Sequence, residues 1–190
     1  MRVFLVLLLG ALFLGPSPVR ADEAAAWSAL RRGEGVALMR HTDAPGGAGD
    51  PAGFRLDDCS TQRNLSDKGR ADAAEVGRRL KTERAVIGKL ASSPWCRCLD
   101  TARLLDIGTV QPEPTFGNVV VLSDRRSELV QGARKLIGAW KGPGTLLVVT
   151  HGATIQALTG YGPAQGEIVV VSARADGSLL EIGRLPLPAR

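Results

Sequence analysis

Only two histidines occur in the 190 residues, His41 and His151, and each follows an apolar run. Val36-Ala37-Leu38-Met39 precedes Arg40-His41, and Thr145-Leu146-Leu147-Val148-Val149 precedes Thr150-His151-Gly152. Runs of this length and composition are the pattern of buried strands, so each imidazole stands where the chain leaves a sheet. Two imidazoles at equivalent strand ends point to a shared site rather than to unrelated core or surface histidines. A neutral imidazole can attack an electrophile, and the intermediate so formed divides one difficult step into two easier ones.

Arg40 beside His41 identifies the charge of the reactant. A cation at a buried strand end needs an anion, none stands nearby in the sequence, and a phosphate would satisfy it. Arg97 enters at the first turn of a helix after Ser92-Ser93-Pro94, where helix amides also favour an anion and a guanidinium matches phosphate oxygens with paired hydrogen bonds. Alone, Arg97 reads as a surface ion pair. Arg63 closes the loop after His41 and is either a further phosphate contact or a solvated side chain. A metal site built on His41 and His151 would need a third ligand and would leave Arg40 repelling the ion, so no metal and no cofactor is expected.

These residues need a scaffold that brings strand ends together. Residues 22–32 are alanine-rich and helical in character, 36–39 form a buried strand, and 42–62 hold four glycines with Pro45 and Pro51, a long loop. A helix over 66–81 carries Ala71, Ala74, Val76 and Leu80 on one stripe, followed by a strand over 86–91 and a helix over about 95–105 that Ser92-Ser93-Pro94 caps. After a short apolar piece at 119–122 come a helix over 126–139, a strand over 145–149, the first turns of a helix over 153–158, and a hairpin from 167–173 and 178–182 around Asp176-Gly177. Strands alternating with helices give an α/β fold, a three-layer sandwich with a mostly parallel central sheet finished by an antiparallel strand. In such sheets ligands bind outside the carboxyl ends of the strands, where Arg40, His41 and His151 fall.

Residues 1–21 read as a signal peptide. Arg2 supplies the positive start, Val3 to Gly15 is almost wholly apolar, and Val19-Arg20-Ala21 matches a cleavage site, leaving one domain over 22–190 and a periplasmic or secreted protein. Thirteen apolar residues fall short of the roughly 20 a membrane-crossing helix needs, so no stable membrane insertion is expected after cleavage. The chain has 24 basic and 19 acidic residues and 4% aromatics, with no long run of like charge. This argues against nucleic acid as a partner and leaves a small anion. Export makes a disulfide between Cys59 and either Cys96 or Cys98 an option, with three buried free thiols as the alternative.

Four stretches in order resemble the histidine phosphatase, or phosphoglycerate mutase-like, superfamily. They are Leu38-Met39-Arg40-His41, the helix start Leu65-Ser66-Asp67-Lys68-Gly69-Arg70-Ala71-Asp72-Ala73, the run from Ser92 to Ala102 with Arg97, and Val148-Val149-Thr150-His151-Gly152. They span most of 34–160, and the closer likeness is to a small exported branch that includes lipopolysaccharide-core heptose phosphatases. The resemblance implies a phosphoglycerate mutase-like fold and a phosphomonoester hydrolase in which His41 becomes phosphorylated, with Arg40, Arg97 and His151 around the phosphoryl group. A small phosphorylated substrate, with a phosphosugar as the candidate, is the implied partner. The chain departs from the family at Thr42, where glycine is usual; its side chain would narrow the pocket or add a hydroxyl. For the proton donor, Asp124 is the nearest positional match, with Glu128 and Asp43 in reserve, although Ser123 or Asp124 would equally cap the following helix. The competing readings are a mutase with the same nucleophile and a catalytically silent module that binds a phosphorylated ligand.

Overall fold

The computed structural model describes residues 22–47 and 49–187; the expected signal peptide lies outside the described residues. Helix α1 (Glu23–Arg32) leads into β1 (Val36–Arg40), and the long loop follows. Then come α2 (Asp67–Thr82), β2 (Ile87–Ser92), α3 (Cys96–Leu104) and β3 (Val110–Pro112). The chain ends with α4 (Arg126–Ala139), β4 (Thr145–Thr150), α5 (Gly152–Thr159), and the hairpin β5 (Ile168–Ala173) and β6 (Leu179–Leu185). Among the described residues no helix is long and apolar enough to cross a membrane.

The six strands form one sheet in the order β3-β2-β4-β1-β5-β6. β3, β2, β4 and β1 run parallel, and β5 joins β1 antiparallel, so the sheet is mixed, with a parallel half that carries the site. Strand alternation explains the three layers. In β1, Ala37 and Met39 face a core shared with α1, α2 and α3, while Val36 and Leu38 face a second core shared with α4 and α5. β4 is buried along its whole length, as a central parallel strand covered on both faces must be.

Two differences from the sequence expectation matter. The apolar piece at 119–122 forms a turn rather than an element, and the unexpected edge strand β3 is three residues long and ends in Pro112, a composition with little strand signal. The second concerns α3. Its N-cap is Trp95, with no side-chain cap, and the Ser93 hydroxyl is committed elsewhere. Instead, Gln62 Oε1 accepts the Cys96 N–H at 3.0 Å.

The long loop is tied down. Cys59 and Cys96 form a disulfide, leaving Cys98 free and buried. At Gly69, a Cβ would lie 2.1 Å from the Asp43 carbonyl oxygen, so only glycine lets α2 pass this close to the chain leaving His41. The disulfide closes a loop of sequence separation 37. Replacing both Cys59 and Cys96 by serine is expected to lower unfolding free energy by about 2–4 kcal/mol, read by urea denaturation under non-reducing conditions; an unchanged midpoint would contradict it.

Candidate active site

Register delivers the two histidines to one place. Arg40 of β1 pairs with Thr150 of β4, so His41 and His151 leave adjacent parallel strands at the same level, and the His41 N–H donates to the Thr150 carbonyl at 2.9 Å. Their rings meet edge to face, 5.6 Å between centroids. On the other side of β4, the Ser93 amide donates to the Val149 carbonyl, which brings the start of α3 to the same end of the sheet.

Hydrogen bonding assigns each imidazole a tautomer. His41 is 2% exposed, and its Nδ1 lies 2.8 Å from the Thr42 carbonyl, which only accepts. The proton therefore sits on Nδ1, and Nε2 carries the lone pair. His151 is 3% exposed, with Nδ1 3.4 Å from Arg97 Nη2 and Nε2 2.9 Å from Ser93 Oγ. A guanidinium only donates, so His151 Nδ1 accepts and Nε2–H donates to Ser93. The Cys98 thiol packs against the same ring and is pushed up to about 12 by burial, which keeps it protonated and inert.

Three arginines surround the pair. Arg40 Nη1 donates to the Pro163 carbonyl at 2.9 Å, and Arg63 Nη1 donates to the carbonyls of Gly46 and Gly47. Neither has a carboxylate within ion-pair distance among the described residues. Arg97 is fully buried and held by Asp50, with Nη1 2.6 Å from Oδ1 and Nη2 3.3 Å from Oδ2. The Nε–H groups of Arg40, Arg63 and Arg97 are all buried with no partner. Buried donors of charged groups are rarely left unmet, and three in one neighbourhood describe a site shaped for an anion. Gly152 makes room for the Arg40 side chain: a Cβ there would stand 3.1 Å from the Arg40 Cδ and Nε.

Burial, with the charges of Arg97 and Arg40 adding to it, drives the His41 pKa down to about 3 against the Thr42 carbonyl bond that opposes the shift. Burial and Arg97 likewise hold His151 well below the ordinary histidine range. Both rings are neutral at physiological pH, as a nucleophile must be.

A cleft of about 250 Å³ opens at this sheet end, walled by Arg40, His41, Arg63 and His151 together with Asn118 and Gln156, among others. Among the described residues no aspartate or glutamate lines it. Asp124 stands exposed on a short 3₁₀ turn, Ser123–Arg125, away from the cleft wall, and neither it nor Ser123 caps α4. Glu128 is exposed and paired with Arg125, and Asp43 accepts from Ser66, so neither reserve carboxylate reaches the cleft. Thr42 is fully buried with its hydroxyl 3.2 Å from that of Thr101; it turns into the protein and supplies the cleft neither bulk nor hydroxyl. Sequence reasoning missed Asp50, Ser93, Asn118 and Gln156. None of the four has a local signal; the burial of Arg97, which requires a counter-ion, is evident only in the fold.

Residues 36–117 match the model of the histidine phosphatase superfamily (branch 1). The matched segment, under half of the chain, holds Arg40, His41, Arg63 and Arg97 and is similar to that superfamily. No curated protein matches it. Among solved structures, the protein histidine phosphatase SixA complexed with tungstate is similar at 19% identity, covering 80% of this chain and 96% of that one, with a TM-score of 0.51. A variant of phosphoserine phosphatase from Entamoeba histolytica in complex with phosphoserine is similar at 15% identity, covering 78% and 95%, with a TM-score of 0.52. The mycobacterial glucosyl-3-phosphoglycerate phosphatase is similar at 15% identity, covering 77% and 95%, with a TM-score of 0.54. At these identities the likeness establishes the phosphoglycerate mutase-like fold.

The lowered imidazole pKa values have a signed consequence. Below pH 6.5 an unfolded chain takes up protons that the folded site refuses, so folding stability is lost as pH falls from about 6.5 toward 3. In histidine NMR spectra, which contain two ring systems only, neither imidazole is expected to titrate between pH 5 and 8; a midpoint near 6.5 for His41 would contradict the assigned neutral state.

Proposed function

We propose that this chain is an exported phosphohydrolase that takes the phosphoryl group of a small phosphomonoester onto His41 Nε2 and passes it to water. The observation that carries this reading is the set of three buried arginine Nε–H donors without partners around a neutral imidazole whose free lone pair is on Nε2. In the first half-reaction, Nε2 attacks phosphorus, the bond to the leaving oxygen breaks, and that oxygen takes up a proton from solvent. In the second, water attacks, the N–P bond breaks, and inorganic phosphate leaves with His41 neutral again. The arginines stabilise charge on the equatorial oxygens in both steps, and His151, held by Ser93 and Arg97, flanks the same group. Asn118 and Gln156 are neutral hydrogen-bonding groups on the cleft wall and suit the hydroxyls of a phosphosugar. The pattern of residues 1–21 and the Cys59–Cys96 disulfide support an oxidising compartment outside the cytoplasm.

A second reading rests on the cleft's lack of a carboxylate. Without a carboxylic acid to protonate it, the leaving group must depart on its own stability, which favours aryl phosphates and N–P bonds such as phosphohistidine over alkyl phosphates. SixA, similar in fold, is described as a protein histidine phosphatase.

Brief exposure of the chain to a ³²P-labelled phosphomonoester is expected to leave label that is acid-labile, alkali-stable and absent from His41→Ala. Arg40→Ala is expected to lower kcat by about 10²–10³-fold. Absence of both label and phosphate release across aryl, sugar and N-linked phosphates would sink this reading in favour of a silent phosphate-binding module.

A further inference from the structure

The loop between β1 and α2 has no regular element longer than the three-residue turn Cys59–Thr61, yet its Asp50 side chain is completely buried. Oδ1 accepts from Arg97 Nη1 at 2.6 Å and from the Arg63 backbone amide at 3.1 Å. Oδ2 accepts from the Trp95 indole at 3.0 Å and from Arg97 Nη2 at 3.3 Å. Four N–H donors saturate the carboxylate. The loop is fastened beside this contact by the Cys59–Cys96 disulfide, by the Gln62 bond to the Cys96 amide, and by Phe54 against the Trp95 ring.

On the functional reading above, we propose that Asp50 is a positioning residue for phosphoryl transfer, acting through Arg97 and Arg63. By gripping both Nη atoms it fixes the guanidinium plane of Arg97 and leaves Nε–H as the donor not committed within the protein. By accepting the Arg63 amide it registers a second arginine from the same point. One carboxylate thus sets two of the three cations. Asp50 is not a stand-in that substrate displaces, because its removal from Arg97 would strand a buried charge and leave the Trp95 and Arg63 donors unmet. It also offsets one positive charge of three, so the site holds an anion without the full attraction that would retain product.

This role predicts an unusual kinetic pattern. A group that only aims a cation loses turnover when removed, and because Asp50 is itself negative, its neutralisation does not weaken anion binding. Asp50→Asn is expected to lower kcat toward an aryl phosphate by about a hundredfold, the scale of a small misplacement of a catalytic group. The inhibition constant of inorganic phosphate should stay the same or fall. The double variant Asp50→Asn/Arg97→Ala should lose less than the product of the two single losses, since the part of the Asp50 effect that runs through Arg97 is already gone and only the part through Arg63 remains. Thermal melting checks that each variant folds; if Asp50→Asn does not, Asp50→Glu keeps the charge, shifts it by one methylene, and is expected to show the same loss in kcat with phosphate inhibition retained. Unchanged kcat, a phosphate inhibition constant that rises as kcat falls, or losses that multiply in the double variant would each overturn the inference. A wild-type chain inactive on every phosphate compound overturns the functional reading and this inference together, whereas an active one with any of those three patterns overturns the inference alone.

Discussion

The rest of the structure depends on an excess of positive charge, one guanidinium buried and two half-buried, that the protein does not neutralise for itself. Arg40, Arg63 and Arg97 crowd one end of the sheet, and among the described residues only Arg97 has a carboxylate at ion-pair distance. Arg40 and Arg63 are steadied by backbone carbonyls, which orient a guanidinium without cancelling its charge. Burial pulls the pKa of both downward, a measure of how poorly solvated these cations are. Charges so placed attract an anion more strongly than fully exposed arginines, because less water screens them. Burial, with the same charges adding to it, keeps His41 and His151 neutral.

Backbone geometry makes this concentration of charge feasible. Parallel pairing of β1 with β4, and of β4 with β2, brings His41, His151 and the approach to α3 to the carboxyl ends of three adjacent strands. Further contacts fix their directions: the segment before β5 supplies the Pro163 carbonyl to Arg40, and the Gly166 amide donates to the Arg40 carbonyl at 3.1 Å. Close approach at Gly69 and Gly152 then keeps the loop and the Arg40 side chain where larger residues would intrude. Asp50 performs the corresponding task for Arg97, from a loop that the disulfide closes onto α3.

Much of this was legible in the sequence, because hydrophobic runs report strands and the residues that end those runs are fixed by them. His41, His151 and Arg40 were found by that logic, and the alternation of strands and helices described the three layers. What was not legible involves contacts between segments distant along the chain. Gly49-Asp50-Pro51 reads as turn chemistry, and nothing local signals that Asp50 folds back onto Arg97. Ser93 reads as a helix cap, yet its hydroxyl serves His151. Asp124 matches by position between two motifs, but its side chain is exposed on a 3₁₀ turn and is not part of the cleft wall.

On the proposed function, three uncommitted arginine donors and the His41 lone pair serve a single phosphoryl group. The most direct measurement is a crystal structure of the chain with orthovanadate, a mimic of the pentacoordinate phosphoryl group. The account predicts vanadium bonded to His41 Nε2, with the Nε–H groups of Arg40, Arg63 and Arg97 directed at its oxygens and Asp50 still holding Arg97. Vanadate bound elsewhere, or bound here with those three donors still unpartnered, would contradict it.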